Sequence, residues 1–281
     1  MPELPEVESY RRDLSELLVD RQFTDVHVDW PNQVSAPSVD ELVRRLPGQT
    51  VVSVGRRGKY LLFRLSAGDT LLIHLKMSGR LHVEPASAPA DPHAHVVFRL
   101  DAGDELRFHD LRKFGRVYLV DDPAKVVGRL GPEPLSDDFT VERFADMLAG
   151  PSTGSGRRRR GRIKSLLLNQ EFLAGLGNIY ADEALHMAGL HPLRTADTLD
   201  TDEIEQLHAA IQSTLRRAIE HRGTSFDRFY LDTRGEPGAY QGRLQVYGRA
   251  GEPCHRCGAL IERIVVGQRG THVCPVCQPA P

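Results

Sequence analysis

Cysteine is scarce in this chain of 281 residues: there are four, all beyond residue 253. A disulfide framework spanning the main body is therefore excluded. No apolar run approaches the length of a membrane span. The first twenty residues carry acids where a secretory signal would carry basic residues, so the expected location is the cytoplasm and no membrane partner is expected. Surplus positive charge is missing as well: 36 Lys and Arg stand against 38 Asp and Glu, a net charge of −2, and bulk charge argues mildly against nucleic acid. No internal repeat is present. What remains is an ordinary composition, 40% hydrophobic and 26% charged, with room for two domains and a small appendage.

The charge is unevenly spread. Arg157, Arg158, Arg159, Arg160, Arg162 and Lys164 crowd one segment, while acids dominate 200–205. Such segregation can give a mildly acidic chain a basic groove. The cysteines form two Cys-x-x-Cys pairs, Cys254/Cys257 and Cys274/Cys277, separated by sixteen residues. This spacing matches a four-cysteine zinc ribbon. Four protein ligands leave no open position for substrate, so one structural Zn2+ is expected and no catalytic metal.

Apolar spacing predicts a helix over 3–19, then a loop marked by Pro31 and Pro37. From 50 to 120 the pattern becomes short β-branched and aliphatic runs, for example 51–54, 60–65, 70–75, 95–100 and 105–109. Ser66–Asp69 and Asp101–Asp104 carry hairpin-turn composition. An antiparallel sandwich or barrel follows. Beyond Gly131-Pro-Glu-Pro134 the pattern is helical, with helices expected over 138–148, 163–173, 178–188 and 201–221, and a loop over 151–156. In the ribbon, 261–266 and 271–274 would be strands, with Arg269 at the tip of the turn between them.

Several segments could carry chemistry. With Met1 removed, Pro2 becomes a terminal secondary amine with Glu3 beside it and Glu6 close by. An α-amine titrates near ~8, against ~10.4 for lysine, so roughly a tenth is unprotonated at neutral pH. Attack of such an amine on a sugar C1′ gives an iminium, a strong electron sink for elimination. Gly175-Leu-Gly177-Asn178 lets backbone approach a ligand ahead of a helix N-terminus, which suits a phosphate; a helix–turn–helix corner with an Asn cap fits the same residues, and Glu183 could cap or solvate that helix. Arg269 suits bidentate phosphate contact. Lys59 opens a strand, where it could touch phosphate or move a proton. Loops at His74-Leu-Lys-Met77-Ser-Gly79 and His109-Asp-Leu-Arg112-Lys-Phe114-Gly115 present Met, Arg and Phe, side chains suited to filling the space a flipped nucleotide leaves.

In order along the chain, Pro2-Glu-Leu-Pro-Glu6, Lys59, His74-Leu-x-Met-Ser-Gly79, Arg112-x-Phe-Gly115, Gly131-Pro-Glu-Pro-Leu135, Gly175–Asn178 with Tyr180, and the Cys-x-x-Cys pairs with Arg269 resemble the formamidopyrimidine-DNA glycosylase and endonuclease VIII family. The resemblance runs from Pro2 to Gln278. It implies an α+β multi-domain chain: an N-terminal antiparallel β-sandwich with flanking helix over 1–130, a helix-two-turn-helix domain with linker and lesion-capping loop over 131–240, and a zinc finger over 241–281.

It also implies a monomer that clamps damaged double-stranded DNA between its two main domains. Pro2 would attack C1′ and expel the base, Glu3 would act on the sugar ring oxygen, and Glu6 would help hold the base or its capping loop. Elimination at the 3′ and then the 5′ phosphate would follow. Lys59, His74, Asn178 and Arg269 would grip phosphates, and Lys59 is also counted with the catalytic groups. Met77, Arg112 and Phe114 would fill the vacated stack, Arg112 reading the opposite cytosine. These three, with the long segment from Gly223 to Tyr240, resemble the branch that excises 8-oxoguanine and formamidopyrimidines. An endonuclease VIII-like enzyme for oxidised pyrimidines and a non-catalytic DNA-binding relative are the alternatives. Leu111 and Lys113 replace the usual proline and arginine, Asn169 replaces a common aspartate, and the four-arginine run over 157–160 is unusual.

Overall fold

The computed structural model describes residues 1–150, 161–225 and 230–281. The expected loop over 151–156 and the run Arg157–Arg160 lie outside the described residues. Two compact units form, one of Met1–Arg129 with Ile219–Gln241, the other of Leu130–Ala218 with Gly242–Pro281. The stretch 219–241, grouped by sequence with the helical segment, thus packs with the N-terminal unit.

The first unit opens with helix α1 (Leu4–Leu18), whose entry is set by Pro5 and by a capping box between Glu3 and Glu6. Two sheets follow. One has the order β1 (Phe23–Val28), β7 (Ala94–Leu100), β8 (Asp104–Asp110), β6 (Gly79–Pro85). The other runs β2 (Val34–Ala36), β9 (Arg116–Val120), β5 (Thr70–His74), β4 (Tyr60–Leu65), β3 (Val51–Arg57). Pairing is antiparallel as expected, except that β2 runs parallel to β9. In β4 burial alternates along the strand, whereas central β5 is buried at every position. Leu81 lies opposite Phe108, Leu61 opposite Ile73, and these rows merge with Val7, Tyr10, Leu14 and Leu18 of α1 in one core. Helix α2 (Val39–Arg45) is capped by Ser38, whose hydroxyl accepts the Glu41 N–H at 3.2 Å. A short α3 (Ala124–Val127) ends the unit's first segment.

The second unit contains α4 (Val141–Ala149), α5 (Ile163–Leu168), α6 (Asn178–Met187) and α7 (Thr201–Glu220), the last two residues of α7 belonging to the first unit. Helix α5 stops five residues short of the expected end. The Asn169 side chain accepts the Glu171 N–H at 3.0 Å, and the Gln170 amide donates to the carbonyls of Leu168 (3.0 Å) and Leu176 (2.8 Å). Side-chain capture of backbone groups competes with continuation of the helix. The ribbon hairpin pairs β10 (Glu262–Val266) with β11 (Arg269–Val273). Among the described residues no helix is long and apolar enough to cross a membrane.

Candidate active site

Pro2 and Glu3 are buried at the start of α1. Glu6, one turn on, accepts the Glu3 backbone N–H through one oxygen at 2.8 Å and the Thr224 N–H through the other at 2.7 Å. A methyl group on Gly223 would lie 2.5 Å from the Glu6 carboxylate, and its φ is +79°, so a side chain there strains the backbone and displaces Glu6. The segment after Gly223 is fixed at both flanks. Ser225 donates to the Tyr230 carbonyl and receives the Gly238 N–H. Arg222 pairs with Asp13 of α1 and with Asp232, and the Thr233 hydroxyl donates to Asp13 at 2.6 Å. Tyr10 reaches the Leu231 carbonyl and packs edge-on against Tyr230. Residues 226–229 lie outside the described residues.

Lys59 and His74 are buried, 5% and 8% exposed, although the sequence placed Lys59 merely at a strand start. Residues Tyr60 and His74 face each other across β4 and β5, and their rings meet edge to face at 4.6 Å. Burial, then the charges of Lys76 and Lys59, push His74 down to about 3. The imidazole is therefore neutral at physiological pH. Its Nδ1 accepts the Lys76 N–H at 2.9 Å, which leaves the proton on Nε2 as a donor.

Met77, Arg112 and Phe114 come together. Met77 and Phe114 are 40% and 45% exposed. The Arg112 guanidinium lies 3.3 Å from the Met77 sulfur and 4.9 Å above the Phe114 ring. Beneath them is a residue that the sequence reading missed, Asp110, fully buried. Its carboxylate receives the Ser78 hydroxyl at 2.6 Å, the Gly115 N–H at 2.6 Å and the Gln33 amide at 3.0 Å. Ser78 in turn accepts the Arg112 N–H at 3.1 Å. One carboxylate thus ties both loops together. Gly115 sits so close to Phe108 that an added Cβ would meet the ring at 2.3 Å. Lys113, at φ +58°, turns its ammonium over the Trp30 ring at 4.2 Å.

In the second unit, Asn178 opens α6 behind a loop held by Gln170, whose side-chain oxygen accepts the Gly175 N–H at 3.0 Å. The Asn178 amide donates to the Gly270 carbonyl of the ribbon at 2.9 Å. Its Oδ1 is buried without a partner among the described residues. Arg269 is exposed, but it is the first residue of β11, paired with Val266. The turn is the tighter Gly267-Gln268, both at positive φ. Lys164 of α5 and Asp182 of α6, both fully buried, pair at 2.6 Å. Lys164 also donates to Thr271 at 2.7 Å, and Asp182 accepts the His272 N–H at 2.9 Å. Glu183 does not cap its own helix: it accepts the N–H groups of Gln245, Val246 and Tyr247 at 2.8–2.9 Å. None of these buried partners could be read from the sequence, since each joins residues remote along the chain.

The four cysteine sulfurs lie within 4.8 Å of one another and form no disulfide. Tetrahedral zinc with Zn–S bonds of about 2.3 Å sets sulfurs about 3.8 Å apart; the pairs Cys254–Cys277 and Cys257–Cys274 stand at 3.9 and 3.4 Å. The N–H groups of Arg256 and Cys277 point at the sulfurs of Cys254 and Cys274, both at 3.4 Å, as thiolate ligands require. The set fits one structural Zn2+.

Comparison with known proteins agrees with this geometry. Residues 1–117 match the model of the formamidopyrimidine-DNA glycosylase N-terminal domain, 130–229 that of the formamidopyrimidine-DNA glycosylase H2TH domain, and 251–280 the zinc finger found in FPG and IleRS. A formamidopyrimidine-DNA glycosylase of Herpetosiphon aurantiacus is 51% identical over 99% of this chain and its own full length. One from Protochlamydia amoebophila is 42% identical over 99% of each. The Lactococcus lactis Fpg in complex with DNA containing an abasic site superimposes with a TM-score of 0.90 at 36% identity, covering 99% of this chain and 100% of that one. A MutM bound to DNA with carbocyclic 8-oxo-G superimposes at 0.89, again 36% identical with 99% and 100% coverage.

Proposed function

The chain belongs to the formamidopyrimidine-DNA glycosylase family, and on that premise we propose that it removes oxidised purines from duplex DNA with Pro2 as the nucleophile. Its activity is that of a bifunctional DNA glycosylase and abasic-site lyase of base excision repair. The observation that supports the proposed site best is the double contact of Glu6, which holds the buried Pro2–Glu3 end and the start of the Gly223–Tyr240 segment in one frame.

The chemistry follows from the amine. Once Met1 is removed, the Pro2 nitrogen lone pair forms a bond to C1′ and the bond from C1′ to the base breaks. Glu3 acts on the ring oxygen as the sugar opens, and the nitrogen becomes an iminium. Loss of a C2′ proton expels the 3′ phosphate, and a second elimination expels the 5′ phosphate. Water then releases the amine. Lys59 and the His74 Nε2–H serve the phosphates from the first unit; Asn178 and Arg269 do so from the second. Met77, Arg112 and Phe114 enter the stack in place of the extruded nucleotide, with Arg112 facing the opposite cytosine. Zinc keeps the ribbon folded and enters no step. We assign 1–130 to catalysis, 131–240 to the helix-two-turn-helix and capping segment, 241–281 to the ribbon, and the protein to the cytoplasm with the chromosome.

Borohydride trapping tests this. The protein is mixed with a duplex carrying 8-oxoguanine opposite cytosine and reduced, and the crosslink is mapped by mass spectrometry. An adduct on Pro2 is expected. An adduct at another residue, or none with Met1 verified absent and an abasic duplex also failing, overturns the assignment. A duplex with thymine glycol runs alongside, and faster excision there would favour the oxidised-pyrimidine reading.

A further inference from the structure

Helix α6 ends against the cysteine cluster. His186, in its last turn, is 2% exposed, and its Nε2 lies 3.5 Å from the Cys254 sulfur, 68 positions further along the chain. Both residues belong to the second unit. The length suits an N–H donating to sulfur, a larger atom than oxygen.

The direction of this hydrogen bond follows from the atoms available. With zinc bound, Cys254 is a thiolate and can only accept. The His186 Nδ1 is buried and has no hydrogen-bond partner among the described residues, so a proton placed there would be an orphaned donor. The ring proton therefore belongs on Nε2, facing the sulfur.

The sulfur has need of it. Four thiolates more than neutralise Zn2+, and Cys254 and Cys274 are the buried pair, while Cys257 is exposed. Negative charge out of water is costly unless donors surround it. Each buried sulfur receives an N–H from its own Cys-x-x-Cys turn, from Arg256 and from Cys277. Cys254 also receives a side-chain donor, and that donor comes from outside the ribbon. The end of α6 is fastened in position for this. The Arg256 guanidinium donates to the Met187 carbonyl at 3.4 Å. Gln278 donates to the Leu190 carbonyl at 2.8 Å and accepts the Cys274 N–H at 3.0 Å.

We propose that His186 is a positioning residue of the zinc site, whose Nε2–H donates to the Cys254 thiolate and slows release of the metal. The hydrogen bond spreads the thiolate charge and fixes where the sulfur points. Partners of metal ligands that act in this way are worth about 10–100-fold in metal affinity. Retention of zinc thus depends on the helical segment as well as on the four cysteines, a dependence to which their spacing gives no clue.

The test uses the full chain carrying one zinc, verified by elemental analysis. Release of zinc to an excess of a chromophoric chelator is followed in the wild type, His186→Phe and His186→Gln. Phenylalanine keeps an apolar ring of similar size without a donor, whereas the glutamine amide offers an N–H near the position of Nε2. His186→Phe is expected to lose zinc about tenfold faster, and His186→Gln to stay close to the wild type. Equal release from the wild type and His186→Phe overturns the proposal. So does equally fast release from both variants, which would reduce the ring to packing. A second measurement needs no variant to fold: long-range 1H–15N NMR of the zinc-loaded wild type reads the tautomer of His186. A proton on Nε2 is expected, and a proton on Nδ1 alone overturns the assignment.

Discussion

One oxygen of the Glu6 carboxylate accepts the backbone N–H of Thr224, 218 positions further along the chain, at 2.7 Å. The same carboxylate caps the Pro2–Glu3 end of α1. Gly223→Ala places a methyl group 2.5 Å from that carboxylate at a positive φ, so strain and displacement of Glu6 act together. The expected loss is about 2–4 kcal/mol of stability, read by urea unfolding, with borohydride trapping at Pro2 reduced as well. Unchanged trapping would separate the nucleophile from the Gly223 contact.

Asp110 has several donors converging on one buried carboxylate. Asp110→Asn keeps the shape but turns an amide N–H toward one of them. We expect a loss of about 2–4 kcal/mol, against about 1 kcal/mol for Ser78→Ala, which removes one link only. Excision of 8-oxoguanine should fall with Asp110→Asn, because Arg112 and Phe114 lose their support. Equal stability of the two variants would contradict the central position of Asp110.

His74 titrates far below a free imidazole, at about 3. Between that value and the unfolded value near ~6.5, the unfolded chain binds a proton that the folded chain refuses. Stability from this residue is thus complete above ~6.5 and is lost as pH falls toward about 3. In that window the slope from this one group reaches ~1.4 kcal/mol per pH unit. His74→Gln should show a shallower acid limb in unfolding measured from pH 7 to 4; an identical limb would mean that His74 is not buried as a neutral ring.

Arg269 and His74 should differ in their salt dependence, although both are assigned to phosphates. Arg269→Ala removes a cation, and the slope of log K against log salt should shrink by about 0.9. His74→Gln removes a neutral donor and should weaken binding with little change in slope. Zinc removal should act like Arg269→Ala or more strongly, because β10 and β11 lose the staple at their Cys274 end. Full DNA affinity after verified zinc loss would overturn the structural role of the metal.

Much of the framework was legible because its signals are local. The hairpin from Tyr60 to His74 was marked by two short aliphatic runs and by the turn composition of Ser66–Asp69, and the cysteine ribbon by spacing alone. Strand β6 falls inside the β region read from the sequence but carries a weak signal of its own, since its apolar positions are only Leu81 and Val83 among Arg80, His82 and Glu84. Helix α5 was drawn too long because nothing in its hydrophobic pattern shows that Asn169 and Gln170 take over the backbone groups. The exposed site residues were readable as a motif, whereas the groups that hold them were not. Asp110 looks like any loop aspartate until Ser78 and Gln33 arrive from other strands, and Lys164 looks solvated until Asp182 and Thr271 enclose it.

Arg112 contacts both Met77 and Phe114, so the three side chains brace one another within the chain itself. The conformational freedom of three long side chains is therefore surrendered once, during folding, and not again at each base pair encountered. For a protein that meets many sound pairs for each damaged one, that timing matters: in the role proposed for these three side chains, insertion becomes a test of how firmly the DNA is stacked, undiluted by the cost of assembling the probe. The permanent exposure of Met77 and Phe114 to water is the other face of the same arrangement.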